Sequence, residues 1–314
     1  MRMHGLLAAL VVSTAALGLA APAPAATRST DTTAATDTAA AAKPIEKVSG
    51  LSHVLINPAN AADTTWNPEP SSLGGRPLTL HATAPTVGAG AGAKADAKAA
   101  DSPMAAAKAS VWGTTGRLLT GGGVCTANVV SSANRDVIAT ARHCVEGGHD
   151  FQFAPNYDAG NAPYGWWTWR SAVWVTTPAP QGDIAFIVLN TKDGRHIADV
   201  VGSTGIGFNR DINNYAHIIG IPGVVPATKE HALWCGGQPV AGPEQPSTAR
   251  IDNCIGLGGG ASGGPFIVDY DQNDGSAVQT GDFVTGDSWQ GKWWAVSAYY
   301  GDDAYNAFNG AQHS

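Results

Sequence analysis

The chain has 314 residues, a formal net charge of −7, and 44% apolar against 14% charged residues. An acidic balance with no basic stripe excludes a nucleic-acid-binding surface. The length is enough for one large domain or two small barrels with buried cores.

Met1-Arg2-Met3-His4-Gly5 is followed by an apolar run from Leu6 to Ala21 and by Pro22-Ala23-Pro24-Ala25-Ala26. A short positive start, an apolar stretch too short to span comfortably and a small-residue exit read as a secretory signal peptide over residues 1–26. No later stretch is apolar enough to span a bilayer, so the expectation is a secreted, extracellular protein with no membrane contact once the signal is removed. Residues 27–108 differ in composition from the C-terminal two thirds of the chain. Thr27–Ala42 and Ala84–Lys108 are low-complexity and bury too little apolar surface to offset the entropy of ordering. Between them Lys43–Leu80 holds scattered apolar positions, among them Val54, Leu55 and Ile56, fit for a small element. The expectation for 27–108 is a largely disordered pro-segment or flexible linker.

From residue 109 to 314 the composition is globular, with nine of the ten Trp and all four Cys. Four cysteines in a secreted chain imply two disulfides. Sequence alone leaves three pairings. The nearest-neighbour one, Cys125–Cys144 with Cys235–Cys254, is preferred, each bridge closing a loop worth roughly 3 kcal/mol. The elements are short, β-branched or aromatic, and punctuated by Gly, Pro, Asn and Asp. Predicted strands are Val124–Val130, Asp136–Ala141, Phe151–Phe153, Trp166–Thr176, Ile184–Leu189, Tyr215–Ile219, Phe266–Tyr270, Gln279–Thr285 and Trp293–Tyr299. Val200–Gly207 is a loop or a weak strand, and Asp302–Phe308 is the one stretch with a helical period. Many short strands mean an all-β sandwich or barrel. The alternating aromatics of Trp166-Trp167-Thr168-Trp169 fit a packed core better than a carbohydrate platform.

Three motifs carry chemistry. Thr140-Ala141-Arg142-His143-Cys144 ends an apolar strand; Gln181-Gly182-Asp183 heads the apolar run Ile184–Leu189; and Ser262 sits among five glycines before Pro265. A serine hydroxyl becomes a nucleophile when a tight turn presents it beside a base and near backbone N–H donors. Gly-x-Ser-x-Gly also occurs in α/β-hydrolase elbows, but those need Asp and His after the nucleophile, and only His313 follows Ser262. Zinc is disfavoured: His149, His196, His217 and His231 show no ligand spacing, and Cys144 is better used in a disulfide. No metal and no cofactor is expected.

The order His, Asp, Ser with these local sequences resembles the chymotrypsin-like serine endopeptidases, above all their secreted bacterial trypsin-like and glutamyl-endopeptidase-like branches. The resemblance runs from Val111 to about Tyr300. It implies an all-β double six-stranded Greek-key barrel, monomeric, that hydrolyses polypeptides through an acyl-enzyme. Matched residue by residue, His143 is the general base, Asp183 orients it, Ser262 is the nucleophile, and the N–H groups of Gly260 and Ser262 form the oxyanion hole. The family's disulfide beside the base matches Cys125–Cys144. A catalytically silent binding protein on the same fold is the alternative. Two departures stand out. Ala261 replaces the aspartate that in animal members pairs with a new N-terminal ammonium, which implies that this activation switch is missing. The trypsin-type pocket-floor position is Gly256, and the best match for the substrate-binding strand is Trp294–Tyr299, with Ser297, Ala298 and Tyr299 pairing with extended substrate. Neither an Arg/Lys nor a Glu preference is supported.

Overall fold

The computed structural model of the chain describes residues 43–49, 52–60, 71–86, 110–223, 230–242, 248–289 and 292–314. The predicted signal peptide and the low-complexity stretches 27–42 and 87–108 lie outside these residues. In chain order the elements are β1 (Ile45–Ser49), β2 (Ser52–Ile56), β3 (Leu78–Leu80), α1 (Val111–Thr114), β4 (Thr115–Leu119), β5 (Val124–Val129), β6 (Val137–Thr140), β7 (Gln152–Pro155), β8 (Trp167–Val175), β9 (Ala185–Leu189), α2 (Ile197–Val201), β10 (Gly205–Phe208), β11 (Ala216–Gly220), β12 (Leu233–Gly237), β13 (Val240–Ala241), β14 (Thr248–Asp252), β15 (Pro265–Val268), β16 (Val278–Trp289), β17 (Lys292–Tyr299) and α3 (Asp302–Gln312).

Strands β4 to β9 close on themselves in the spatial order β7-β4-β5-β6-β9-β8, with Trp167 and Thr168 of β8 returning to β7. Side chains alternate between the interior and exterior of this first barrel. Leu118, Val129, Ile138, Phe153, Trp167 and Ile187 pack inside. Trp167 and Trp169 are both buried, and Trp169 meets Phe151 edge-on at 4.9 Å, which places this aromatic run in the core rather than on a platform.

The second barrel follows the path β12-β11-β15-β16-β17-β14, and β13 pairs with β14. Among the described residues its ladder does not close between β12 and β14. The disulfide Cys235–Cys254 crosses this seam, from the middle of β12 to the residue pair just beyond β14. The other bridge is Cys125–Cys144. Helix α3 buries Ala304, Ala307, Phe308 and Ala311, a one-sided stripe at helical spacing, where Phe308 contacts Phe186 of β9 and Phe208 of β10. Its first turn carries Asp302 and Asp303, favourable beside the helix N-terminus.

Within 27–108, the stretch Lys43–Leu80, read as fit for a small element, carries β1, β2 and β3. The β1–β2 hairpin extends β8, from Ser52 opposite Val175 to Ile56 opposite Ser171, and β3 pairs with β10. Val54, Leu55 and Ile56 are buried against the barrel. The physical reason is that an apolar triplet too short to form a core alone finds one already built. Among the described residues, no helix is long and apolar enough to cross a membrane.

Candidate active site

His143 lies in a single 3-10 turn, Arg142–Cys144, where the chain leaves β6. The Cys125–Cys144 bridge ties that turn back to β5. Asp183 sits two residues before β9, at the end of a tight loop in which Gly182 donates to Pro178 O at 2.9 Å. Because β6 and β9 are neighbours, with Thr140 opposite Ala185, their two ends bring base and acid together. The His143 ring Nδ1 is 2.7 Å from Asp183 Oδ2, and the His143 backbone N–H donates to Asp183 Oδ1 at 2.8 Å. The carboxylate is 3% exposed and the imidazole 47%. This doubly held carboxylate fixes the ring's tautomer and leaves Nε2 facing outward. The hydrogen bond to Asp183 raises the His143 pKa above the ordinary imidazole value, partial burial opposes it, and the Asp183 charge adds to the rise. Behind the pair, burial pushes the Asp282 carboxyl well above the usual range. The nearby Asp183 charge adds to this, while hydrogen bonds from Tyr300 and Gln279 act against it.

Ser262 lies half-buried in the turn after Gly260. Gly260 has φ +94°, and a Cβ there would sit 2.4 Å from the Gly223 N. Gly263 has φ +79°, and a Cβ would fall 2.0 Å from Thr140 Oγ1 and 2.7 Å from Ala141 N. Both positions therefore require glycine, one for each side of the serine. The same close approach presses the serine turn onto the strand end that carries His143. Thr126 N donates to Ser262 O at 2.8 Å, and Cys144 Sγ lies 3.8 Å from that oxygen. Among the described residues Ser262 Oγ makes no hydrogen bond to His143; the two residues meet through their neighbours. Such bonds are often long without substrate and tighten when it binds. Also among the described residues, neither Gly260 N–H nor Ser262 N–H has an acceptor.

Cys125, His143 and Cys144 place potential ligand atoms within 4.8 Å of one another, but both sulfurs are spent in the disulfide, so no thiolate is on offer. Beside His143 a cleft of about 230 Å³ is lined by Arg142, Glu146, Thr176, Pro178 and Ala179.

The expected substrate strand, Trp294–Tyr299, lies in β17. Strand β17 is paired on both edges: Ser297 opposes Ala249 and Phe283, and Ala298 opposes Thr248 and Asp282. Tyr299 opposes Gly281 in the same ladder. Among the described residues β17 has no free edge at Ser297 and Ala298. The strand that reaches the serine turn is β16. Gly263 N donates to Phe283 O at 2.8 Å, and Phe283 N donates to Gly264 O at 2.7 Å. Beyond Asp282 the pairing with β15 has ended, and among the described residues one edge of Val284, Thr285 and Gly286 is unpaired. Sequence reasoning missed this because pairing partners are not written locally. Gly256, the other expected pocket residue, has φ +89° and lies beside Leu233 of β12.

The structure is similar to a thermostable serine protease, AL20, from an extremophilic microorganism, with TM-score 0.58 and 28% identity over 64% of this chain and 98% of that one. It is similar to the protease Anisep from Arthrobacter nicotinovorans, with TM-score 0.58 and 30% identity over 66% of this chain and 99% of that one. A Glu endopeptidase shares the fold, with TM-score 0.51 and 21% identity over 67% and 95% of the two chains. No protein-family model and no curated protein sequence matches the chain.

Proposed function

Because this chain belongs to the bacterial chymotrypsin-like serine proteases, we propose that it is a secreted serine endopeptidase in which His143, Asp183 and Ser262 form the triad. The observation that carries this reading is the held His143–Asp183 pair pressed against a glycine turn that presents Ser262 and two N–H groups without acceptors. Ser262 Oγ attacks the scissile carbonyl while His143 Nε2 takes its proton. The imidazolium so formed is stabilised by Asp183 and returns the proton to the leaving amine. The tetrahedral oxyanion is bound by the N–H groups of Gly260 and Ser262, and water then hydrolyses the acyl-enzyme by the same steps in reverse. Polypeptide substrate adds as an extended strand along the open edge of Val284–Gly286. Strand β16 carries no histidine and no basic side chain, so a Glu-directed pocket has no visible basis there.

The test is labelling of the purified protein with a fluorophosphonate, mapped by peptide mass spectrometry, together with cleavage of a denatured polypeptide. One adduct on Ser262, absent from Ser262→Ala, and cleavage abolished by the same substitution are expected. A folded protein that neither labels nor cleaves would leave the silent-binder alternative.

A further inference from the structure

We propose that Thr126 is a positioning residue for the oxyanion-binding turn, and that its hydroxyl supplies the order which a buried ammonium–aspartate pair supplies in animal relatives. The inference rests on the reading of Ser262 as nucleophile and of Gly260 and Ser262 as oxyanion donors.

A peptide unit is planar and trans, so an N–H points opposite to the carbonyl of the residue before it. The Gly260 and Ser262 N–H groups are therefore aimed by the carbonyls of Gly259 and Ala261, and the peptide unit that joins them, with Gly260 O at one end and Ala261 N donating to Gly258 O at 2.9 Å at the other, fixes one donor relative to the other. All four carbonyls from Gly259 to Ser262 are held. Gly223 N donates to Gly259 O at 2.9 Å, Thr126 Oγ1 to Gly260 O at 2.9 Å, Gly264 N to Ala261 O at 3.0 Å, and Thr126 N to Ser262 O at 2.8 Å. Thr126 thus provides two of the four holds, one from its side chain and one from its backbone. Its hydroxyl also accepts from Ile221 N at 2.9 Å, so its one proton is committed to Gly260 O. Thr126 is fully buried, where no water competes for these groups. The loop that carries Gly223 is held from behind: the buried Arg117 guanidinium donates to Ile221 O at 2.7 Å and to Pro222 O at 3.3 Å.

The position of the missing aspartate supports the same conclusion. Ala261 is fully buried in an apolar cluster with Leu257 and Phe266. Its Cβ lies only 2.6 Å from where a side chain at Gly220 would begin. A carboxylate at 261 would be buried in this apolar cluster, which disfavours its charge. In this chain the turn is locked by a hydroxyl that is present as soon as the barrels fold, and no newly cut N-terminus is needed.

The test compares Thr126→Val, Thr126→Ser and the parent for kcat and KM on a peptide substrate and for inhibition by a peptide aldehyde, which binds as an oxyanion adduct. Valine keeps the shape and the backbone N–H and removes only the hydroxyl. A kcat lower by about 10- to 100-fold, KM within about threefold, and an equally weakened aldehyde are expected, because the peptide unit that joins the two donors is loosened while both donors remain. Thr126→Ser should restore the parent values. Unchanged kcat and aldehyde binding in folded Thr126→Val would overturn the proposal. A second arm holds even where the valine variant does not fold: the parent with its N-terminus extended or blocked should keep full activity, and a strict need for a free amine would overturn it. A parent that neither cleaves nor labels at Ser262 overturns the triad reading itself, which separates that failure from this one.

Discussion

Removing the Cys235–Cys254 bridge, by replacing both residues with Ala, tests how the second barrel is closed. Cys125–Cys144 is the internal reference, because both bridges have a sequence separation of 19. Restraint of the unfolded chain is then the same for both, about 3 kcal/mol each. That is a large share of the roughly 5–15 kcal/mol that holds a typical domain folded. The native contexts differ. Cys125 lies in β5, which is hydrogen-bonded on both sides inside a closed barrel. Among the described residues Cys235 lies in β12, which ladders only with β11, and the bridge is a covalent link across the seam to the β14 side. Loss of Cys235–Cys254 should therefore exceed the common loop contribution, and loss of Cys125–Cys144 should equal it. At about 2–4 °C per kcal/mol for a domain of this size, the reference variant should melt about 6–12 °C lower and the seam variant lower still. Urea unfolding followed by tryptophan fluorescence reads both, and Trp234, exposed in β12 beside Cys235, reports the seam itself. A seam variant that loses less than about 1 kcal/mol, or less than the reference, would refute the argument that this bridge closes the barrel.

Two other outcomes are expected. His143 must be neutral to accept the Ser262 proton, and its pKa lies above the ordinary 6.5. The acid limb of kcat/KM should therefore have its midpoint above that value, and Asp183→Asn should lower both the midpoint and kcat, the latter by on the order of 10⁴-fold. Protonated His143 stabilises the fold below pH 6.5, and this contribution is lost as pH rises through the raised pKa, so activity and this part of stability run in opposite directions. A midpoint that does not move in Asp183→Asn would count against the pair. Second, a chain that begins at Ser110 lacks β1–β3 and the burial of Val54, Leu55 and Ile56. At about 1.5–3 kcal/mol per buried aliphatic side chain, that loss rivals the stability of the whole domain. Such a chain should be insoluble or melt far below one that begins at Lys43, as thermal unfolding will show; equal melting temperatures would mean the hairpin is dispensable.

Much of the candidate site was legible because its chemistry is written in short contiguous motifs. A histidine at a strand end, an aspartate heading an apolar run and a serine between obligatory glycines are local requirements, and the structure gives each its reason: the ends of β6 and β9 adjoin, and Gly260 and Gly263 have no room for a Cβ. The nearest-neighbour disulfides belong to the same class, since short loops close with little entropy. Strands β7, β9 and β15 were visible from their apolar runs. Strands β4, β12 and β14 were not, because Thr115-Gly116-Arg117, Gly236-Gly237 and Thr248-Ala249-Arg250 do not look like strands until the sheet that accepts them exists.

What the sequence alone determined, then, was the class of fold, the three residues proposed for catalysis and the glycine turn between them, all set by contacts within a few residues. Only the tertiary structure decided that β16 reaches the serine turn, that an N-terminal hairpin pairs with β8, and that Thr126 holds Gly260 from 134 residues away. Pairing register and the partner of a buried hydroxyl depend on which surfaces meet once the barrels form, and no local pattern of residues records that meeting.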